Sequence, residues 1–154
     1  MNVSLKRPSA LLCVALCALG LTACGTTVST SSFQGEDHEV AQVLSNLQAD
    51  ATAGDQHKIC TSDLATAVVA RLSAGGTKSG SAPASTVAGC EKAIKNQLAE
   101  VDRFDLTVQS VQVSAAGGQS TATARVTSIH EGKTRPGTVL LVKEAGKWKI
   151  KELG

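Results

Sequence analysis

The side chains best able to do chemistry in this chain are five cysteines and three histidines among 154 residues. Thiolate and imidazole groups bind metals, or act as nucleophile and base, when several of them lie at a suitable spacing. His57 precedes Cys60 by three residues, but neither Cys60 nor Cys90 has a second Cys nearby, and this single pair specifies no site. We therefore predict no metal ligand, no cofactor and no Cys nucleophile.

Two segments partly match catalytic motifs. The segment that begins His38-Glu39 starts like the zinc-protease helix, but Gln42 stands where the second metal-binding His is required. Lys78 lies in a segment that resembles a phosphate-binding loop, but the preceding Gly is missing and a predicted helix leads into it. Neither segment is interpreted as a site. The histidines are predicted to be solvated surface residues: His38, His57 and His130.

The first 23 residues are typical of an export signal. Lys6 and Arg7 precede an uninterrupted apolar run over residues 9–21 that ends in small residues. This run is shorter than the roughly 20 residues that a membrane-spanning helix needs. We therefore predict that residues 1–23 are a secretory signal peptide, removed from the mature protein, rather than a permanent membrane span.

A lipid-attachment signal follows at the end of this segment. Leu21, Thr22, Ala23 and Cys24 resemble the lipobox of bacterial lipoprotein precursors, in which a branched residue and two small ones precede an invariant Cys. The resemblance implies that Cys24 becomes the lipidated N-terminus and anchors the protein to the outer, extracytoplasmic face of the cell membrane. Residues 24–34, rich in small hydroxylated side chains, are predicted to be a flexible tether.

The charge balance changes once the signal peptide is removed. The full chain has 15 basic and 13 acidic residues, and loss of Lys6 and Arg7 leaves 13 of each. A neutral balance gives no argument for a nucleic-acid partner. The aromatic residues are also too few for stacking on bases: Phe33, Phe104 and Trp148. We predict no nucleic-acid partner.

Cleavage and lipidation also account for three of the five cysteines. Cys13 and Cys17 leave with the signal peptide and Cys24 is modified, so Cys60 and Cys90 remain. In an oxidising exported compartment such a pair is predicted to form a disulfide. On the chain-entropy model, closing a loop of about 30 residues stabilises the fold by roughly 3 to 4 kcal/mol.

The hydrophobic period divides the rest of the chain into helices followed by strands. Gly54 ends the first predicted helix, and residues 61–63 are interpreted as a cap for the third. The predicted helical segments are 36–53, 56–60, 64–72 and 86–101, with a surface loop over 74–85. The predicted strands are 104–114, 119–130, 137–144 and 147–152, with a β-bulge near Gln109-Ser110. Their short connections favour an antiparallel meander.

This order of elements predicts a single α+β domain over residues 35–154, with three to four N-terminal helices packed on a bent four-stranded antiparallel meander. The segment Ala53-Gly54-Asp55, the Cys before Thr61, the Cys-bearing helix and a meander that closes on residues 146–150 resemble small exported actinobacterial lipoproteins. These are similar to the nuclear-transport-factor-2-like superfamily, which is related to cystatins. The resemblance implies a cone-like fold more firmly than a function, because the superfamily includes isomerases, dehydratases, carrier-like pockets and accessory domains.

Catalysis in that superfamily often pairs a carboxylate base with a Tyr or a protonated acid that stabilises an oxyanion, and this chain contains no Tyr. The candidate bases are better explained by capping or solvation: Asp50, Asp55, Asp102 and Asp105. We therefore predict no catalytic residue. An open, water-filled cavity with a buried carboxylate of raised pKa would reverse this prediction in favour of an enzyme.

Two groups of residues remain as candidate binding surfaces. Apolar strand residues are predicted either to line a pocket or simply to form the core: Val108, Val126, Leu141, Trp148 and Ile150. Alternating lysines on the last strand are predicted either to contact anionic lipid or wall polymer or to be ordinary solvent-facing residues: Lys147, Lys149 and Lys151.

The sequence therefore favours a membrane-anchored, non-enzymatic binding or accessory module whose ligand is a protein, a wall polymer or a small apolar molecule. The alternative is a pocket enzyme of isomerase, dehydratase or hydrolase type on the same fold. A homodimer formed through the sheet is a further possibility, because related folds often dimerise in this way.

Overall fold

The computed structural model describes residues 29–75, 86–101, 104–130 and 132–154. The predicted signal peptide, Cys24 and the first residues of the tether lie outside these ranges, as do most of the predicted loop at 74–85 and Asp102. Within the described ranges, no helix is both long enough and apolar enough to cross a membrane.

Helix α1 (Gly35–Ala53) presents one apolar face to the protein interior. Glu36 and Asp37 place negative charge in its first turn, which favours a helix start. Val40 and Leu44, one turn apart, are fully buried. The helix ends at Gly54, whose φ of 69° is in the left-handed region, so that its N–H reaches the carbonyl of Ala51. The predicted start and end of this helix are confirmed to within one residue.

A short helix and a π turn follow. Helix α2 (Gln56–Lys58) is capped by the Asp55 carboxylate, which accepts a 3.0 Å hydrogen bond from the Lys58 N–H. It continues into a π turn (Ile59–Asp63), which is closed by a 3.0 Å hydrogen bond from the Leu64 N–H to the Ile59 carbonyl. The π turn was not predicted from the sequence.

The prediction that residues 61–63 cap the third helix is wrong. Helix α3 (Thr66–Gly75) begins two residues later than predicted, and Glu144 of the sheet accepts hydrogen bonds from the Thr66 N–H and hydroxyl at 3.1 and 2.9 Å. Leu64 is extended and pairs with Ile150, and the Ala65 N–H donates to the Ile150 carbonyl at 2.8 Å. Pairing with the sheet edge therefore prevails over the local capping preference.

The predicted disulfide is confirmed. Helix α4 (Thr86–Leu98) carries Cys90, which is fully buried and bonded to Cys60 of the π turn across a sequence separation of 30 residues. The bond therefore ties α4 to the π turn. The helix ends three residues before the predicted boundary, where the Val101 N–H turns back to the Leu98 carbonyl.

The sheet is an antiparallel meander of four strands in sequence order, as predicted: β1 (Asp105–Ala116), β2 (Gln119–His130), β3 (Lys133–Glu144) and β4 (Lys147–Leu153). Strand β3 begins four residues earlier than predicted, because Pro136 continues the pairing with Thr127. Strand β4 pairs with β3 only from Val139 onwards. At Pro136 there is therefore no β4 partner that requires a hydrogen bond from the N–H that proline lacks.

Two irregularities interrupt the pairing. The register shifts between Val108 and Ser110, which confirms the bulge predicted near Gln109-Ser110. A second shift leaves Lys151 without a partner, because Leu140 pairs with Glu152 and Leu141 with Ile150. Bulges bend strands.

Helices and sheet enclose one hydrophobic cluster of buried residues, and the predicted α+β fold class is confirmed. Helix α1 contacts β1, β2 and β4, while α3 packs against α4 and β4. The buried side chains of this core are Val40, Leu44, Leu47, Ile59, Cys60, Leu64, Ala65, Val68, Val69, Cys90, Ala122, Ala124, Val126, Val139, Leu141, Val142, Trp148 and Ile150.

Candidate functional site

The structure places most of the predicted pocket residues in the hydrophobic core. Val126, Leu141, Trp148 and Ile150 are each at most 5% exposed, and Val108 is half-buried against the same core. Their placement matches the simpler of the two interpretations, in which they fill the space between the sheet and the helices. Trp148 also borders a cleft described below.

An apolar pocket of about 170 Å³ opens elsewhere, between the helices and the end of β4. We call it the apolar pocket. Its walls come from the C-terminal half of α1, the π turn, the C-terminal half of α4 and the segments that flank the sheet. Its lining residues are Leu47, Ala51, Ile59, Leu64, Ile94, Gln97, Leu98, Val101, Phe104 and Leu153.

The lining of the apolar pocket determines what it can bind. Gln97 is the polar member of the set, and no charged side chain of the described residues lines it. Cavities of about 150 Å³ lined by Leu, Ile and Phe stay dry and bind benzene. The pocket therefore suits one ring or a short alkyl chain, and it lacks the ionisable groups needed for acid–base chemistry.

The sequence shows the apolar residues of this pocket, but their helical spacing is equally consistent with packing in the core. Ile94, Leu98 and Val101 form the inward stripe by which α4 was predicted, and such a stripe does not say whether its far end meets protein or open space. Here Leu98 and Val101 extend beyond the neighbouring core and are half-buried. Apolar periodicity finds the wall of such a pocket but not the space beside it.

A second cavity, of about 390 Å³, lies at the other side of the π turn. We call it the polar cleft. One face of α1 contributes side chains at intervals of three or four residues, the π turn contributes two residues, and the β3–β4 hairpin closes the end. The lining residues are Glu39, Val43, Asn46, Ser62, Asp63, Gly146, Lys147 and Trp148.

Asp63 is the unusual group of the polar cleft. It is 3% exposed, and its Oδ2 finds no hydrogen-bond partner among the described residues. Burial, followed by the charge of Asp50, raises the pKa of Asp63 to about 7, although Lys149 and Lys58 act in the opposite direction. A carboxyl group of this kind can take up and release a proton near neutral pH.

Sequence reasoning missed Asp63 because its immediate neighbours made it look like a helix cap. Thr61, Ser62 and Asp63 have the side chains preferred at helix starts. Only the π turn, which rotates Asp63 inward, separates it from its exposed neighbours. No pattern in the sequence indicates that turn.

Trp148 also lines the polar cleft. It is 3% exposed, and within the described part of the chain its indole Nε1 has no hydrogen-bond partner. The Lys143 ammonium lies 5.3 Å from the centre of the ring. The same ammonium contacts Glu36 at 2.6 Å and Glu39 at 3.3 Å, which links the hairpin to α1. Hydrogen bonding to Glu36 is the main cause that raises the pKa of Lys143.

The three predicted surface lysines have different environments. Lys149 donates hydrogen bonds from its ammonium to the carbonyl oxygens of Thr61, at 3.0 Å, and of Ser62, and burial lowers its pKa. Lys147 is exposed at the edge of the polar cleft, and Lys151 is exposed at the bulge. The Lys149 ammonium is therefore engaged within the fold, whereas the other two reach solvent.

The remaining titratable candidates form local pairs. The His57 Nδ1 lies 2.8 Å from a carboxylate oxygen of Glu91, at an exposed site beside the disulfide. Lys58 contacts Asp50 at 3.6 Å and Asp55 at 3.2 Å. Over the ranges that the structure describes, no three His, Cys, Asp or Glu side chains are grouped so as to hold a metal.

Comparisons with known proteins give one structural likeness. A scan against protein-family models gives no match to this chain, and a search of curated proteins gives no relative. The chain is similar to a solved structure described as a variant of Rd1NTF2_05, with 17% sequence identity and a TM-score of 0.43. The alignment covers 77% of this chain and 97% of that one.

Proposed function

We propose that this protein is an extracytoplasmic lipoprotein, anchored to the outer face of the cell membrane through Cys24, whose nuclear-transport-factor-2-like domain binds a small apolar ligand. The observation that carries the binding function is the apolar pocket, because apolar side chains from several elements line it. The Cys60–Cys90 disulfide supports export, since structural disulfides are typical of oxidising compartments.

The size of the pocket sets the class of ligand. A group of about six carbons, transferred from water at about 0.8 kcal/mol per carbon, gains about 5 kcal/mol, which corresponds to a Kd of about 0.2 mM. A longer ligand would extend past Leu153, which is 55% exposed at the pocket edge. We therefore expect a single ring or the end of an alkyl chain to occupy the pocket.

A filling mutation tests this function. In Ala51→Phe the new ring occupies the pocket, because Ala51 is half-buried in its lining. Ala70→Phe, which adds the same ring at an exposed position of α3, is the matched control. We expect calorimetry on the mature chain with Cys24 replaced by Ser to show toluene binding in the unmodified pocket and in Ala70→Phe, and no binding in Ala51→Phe. Equal binding by both variants, or none in the parent protein, overturns the proposal.

The anchor has a separate test. Expression of the full precursor in a bacterium should yield a membrane-bound protein whose intact mass equals residues 24–154 plus a diacylglyceryl group, with or without a further acyl chain. Cys24→Ser should leave the protein soluble or retain the signal peptide. Retention of an unmodified Cys24 in a membrane-bound product contradicts the anchor and leaves the apolar-ligand function standing.

A second candidate function, the pocket enzyme, is favoured by one specific observation. Asp63, a buried carboxyl group with a pKa of about 7, borders the polar cleft and is suited to proton transfer at neutral pH. The enzyme is the second candidate because the Asp63 Oδ2 is buried and does not face the open cleft. The test is a panel of enolisable ketones and activated esters, assayed with the parent protein and with Asp63→Asn. A rate that Asp63→Asn abolishes and that rises with an apparent pKa near 7 supports the enzyme. Rates equal to those of buffer throughout the panel argue against it.

A further inference from the structure

Two buried polar atoms in the polar cleft lack hydrogen-bond partners among the residues that the structure describes. They are the Asp63 Oδ2 and the Trp148 Nε1. The two side chains come from different elements, the π turn and β4, and both border the same cleft. Buried polar groups in native proteins are nearly always hydrogen-bonded, so two such atoms in one cleft point to a ligand that supplies both partners.

Two of the neighbouring cations, Lys149 and Lys143, are engaged by other groups. Lys149 of β4 is the cation that most lowers the pKa of Asp63. Its ammonium donates hydrogen bonds to the carbonyl oxygens of Thr61 and Ser62. Lys143 is held by two carboxylates of α1. Neither ammonium satisfies the Asp63 Oδ2, so this acceptor has no partner within the described part of the chain.

The two unpartnered atoms have opposite hydrogen-bonding requirements. An ionised Asp63 only accepts hydrogen bonds, whereas the Trp148 Nε1–H only donates. Lys147, exposed at the cleft edge, adds a positive charge. A matching ligand therefore carries a cationic donor at one end and an anionic acceptor at the other.

We propose that the polar cleft binds a small zwitterion, a molecule with an ammonium group next to a carboxylate. The ammonium donates to Asp63, and the carboxylate accepts from the Trp148 Nε1–H and lies near Lys147. A volume of about 390 Å³ accommodates a molecule of amino-acid size. Both protein atoms are buried behind the lining of the cleft, so that lining must shift before a ligand reaches them.

The π turn separates this site from the apolar pocket. Ile59, the first residue of the π turn, and Leu64, which follows its last residue, line the apolar pocket. Ser62 and Asp63 line the polar cleft. The zwitterion site thus goes beyond the proposed apolar-ligand function, and either site can fail without the other.

The experiment uses the single tryptophan of the chain as a reporter. The mature lipoprotein, labelled with ¹⁵N and held in detergent micelles at pH 8, is titrated separately with L-alanine and D-alanine while the indole Nε1–H resonance of Trp148 is followed. We expect a saturable shift with at least one enantiomer. Acetate, methylammonium and glucose, each of which presents only part of the required chemistry, should bind at least tenfold more weakly.

Variants show whether the predicted groups carry the binding. Asp63→Asn should lower the alanine affinity at least tenfold, and Lys147→Gln should lower it severalfold. Asp37→Asn, on α1 outside the cleft lining, is the matched control and should leave the affinity unchanged. An unshifted indole resonance at 50 mM alanine, equal binding by glucose or by either half-molecule, or unchanged affinity in Asp63→Asn overturns the proposal.

The pH dependence provides a further readout. Asp63 must be ionised to accept from an ammonium, and its pKa of about 7 implies about tenfold weaker alanine binding at pH 6 than at pH 8. The charged groups around it are Asp50 of α1, Asp55 and Lys58 beside and within α2, and Lys149 of β4. Alanine affinity that is the same at pH 6 and pH 8 contradicts the assignment of Asp63 as the acceptor.

Discussion

The apolar pocket and the polar cleft lie on opposite sides of one π turn, yet they arise from different kinds of sequence information. The apolar pocket is lined by residues such as Ile94 and Leu98, whose helical spacing is visible in the chain. The polar cleft depends on Asp63, whose burial follows from the π turn and from the edge pairing of Leu64 with Ile150. Local pattern thus predicts apolar walls, whereas tertiary pairing determines where a charged group is buried.

The largest expected effect comes from removing the charge at Asp63. The folded pKa, about 7, is above the ordinary value of 3.8, so the folded state binds the proton more tightly than the unfolded state. The stability contributed by the neutral group is present below about pH 4 and is lost as the pH rises to about 7. At pH 8, Asp63→Asn should therefore raise the free energy of unfolding by about 4 kcal/mol.

Urea unfolding of both proteins at pH 4 and pH 8 measures this difference. The gap between Asp63→Asn and the parent protein should be small at pH 4 and should widen through the range from pH 4 to pH 7. A difference in the free energy of unfolding that is independent of pH would mean that the pKa of Asp63 is not raised by folding. The polar cleft would then contain no carboxyl group that distinguishes it electrostatically from the apolar pocket.

Loss of the disulfide should have the next largest effect. Replacing Cys60 and Cys90 by Ala releases the π turn from α4 and should cost about 3 to 4 kcal/mol of stability on the chain-entropy model. Guanidinium unfolding measures the loss, and because the π turn separates the cavities, binding at both sites should weaken as well. Unchanged stability after reduction and alkylation of the parent protein would contradict the role of this bond.

Neutralising the two exposed lysines of β4 should have a smaller effect, and it distinguishes two roles of Lys147. If the lysines contact anionic lipid, Lys147→Gln and Lys151→Gln should each weaken vesicle binding by about 1 kcal/mol. Flotation with anionic vesicles measures this loss for the chain without its lipid. Vesicle binding that is unchanged in the double variant excludes contact between these lysines and the membrane. The role of Lys147 is then limited to attracting the ligand carboxylate at the polar cleft.

The smallest effect is expected at Ile59, which lines the apolar pocket at the start of the π turn. Ile59→Val removes one buried methyl group and should lower stability by about 1 kcal/mol. The enlarged pocket should shift its preference from toluene towards p-xylene, measured by calorimetry. A preference that stays the same would place the bound ring away from Ile59.

The sequence predicts the fold better than it predicts the cavities. The hydrophobic period and the short connections predict the strand order, and the change of apolar parity predicts the bulge near Gln109, because both patterns depend on which side chains face the core. The number of cysteines left in the mature chain predicts the Cys60–Cys90 bond. The strand residues predicted either to line a pocket or to form the core lie in or against the core, and Trp148 also borders the polar cleft. Parity identifies an inward face without revealing whether space remains beside it. Helical spacing likewise predicts that Leu98 faces inward, but it does not predict the open space beside this side chain.

The start of α3 shows the same limit for polar residues. Thr61, Ser62 and Asp63 have the composition of a cap, but Glu144, distant in sequence, accepts the hydrogen bonds at Thr66 instead. Long-range pairing can only be seen once the sheet is assembled. The cleft around Asp63 therefore could not be derived from its neighbours in the chain.

The most direct test of the central claim is a methyl NMR titration of the mature chain, with Cys24 replaced by Ser, against toluene. We expect saturable shifts at the methyl groups of Ile59, Ile94 and Leu98, which line the apolar pocket, and no shift of the indole resonance of Trp148 on the other side of the π turn. Linear, non-saturating shifts up to the solubility limit of toluene, or saturable shifts centred on Trp148, would contradict it.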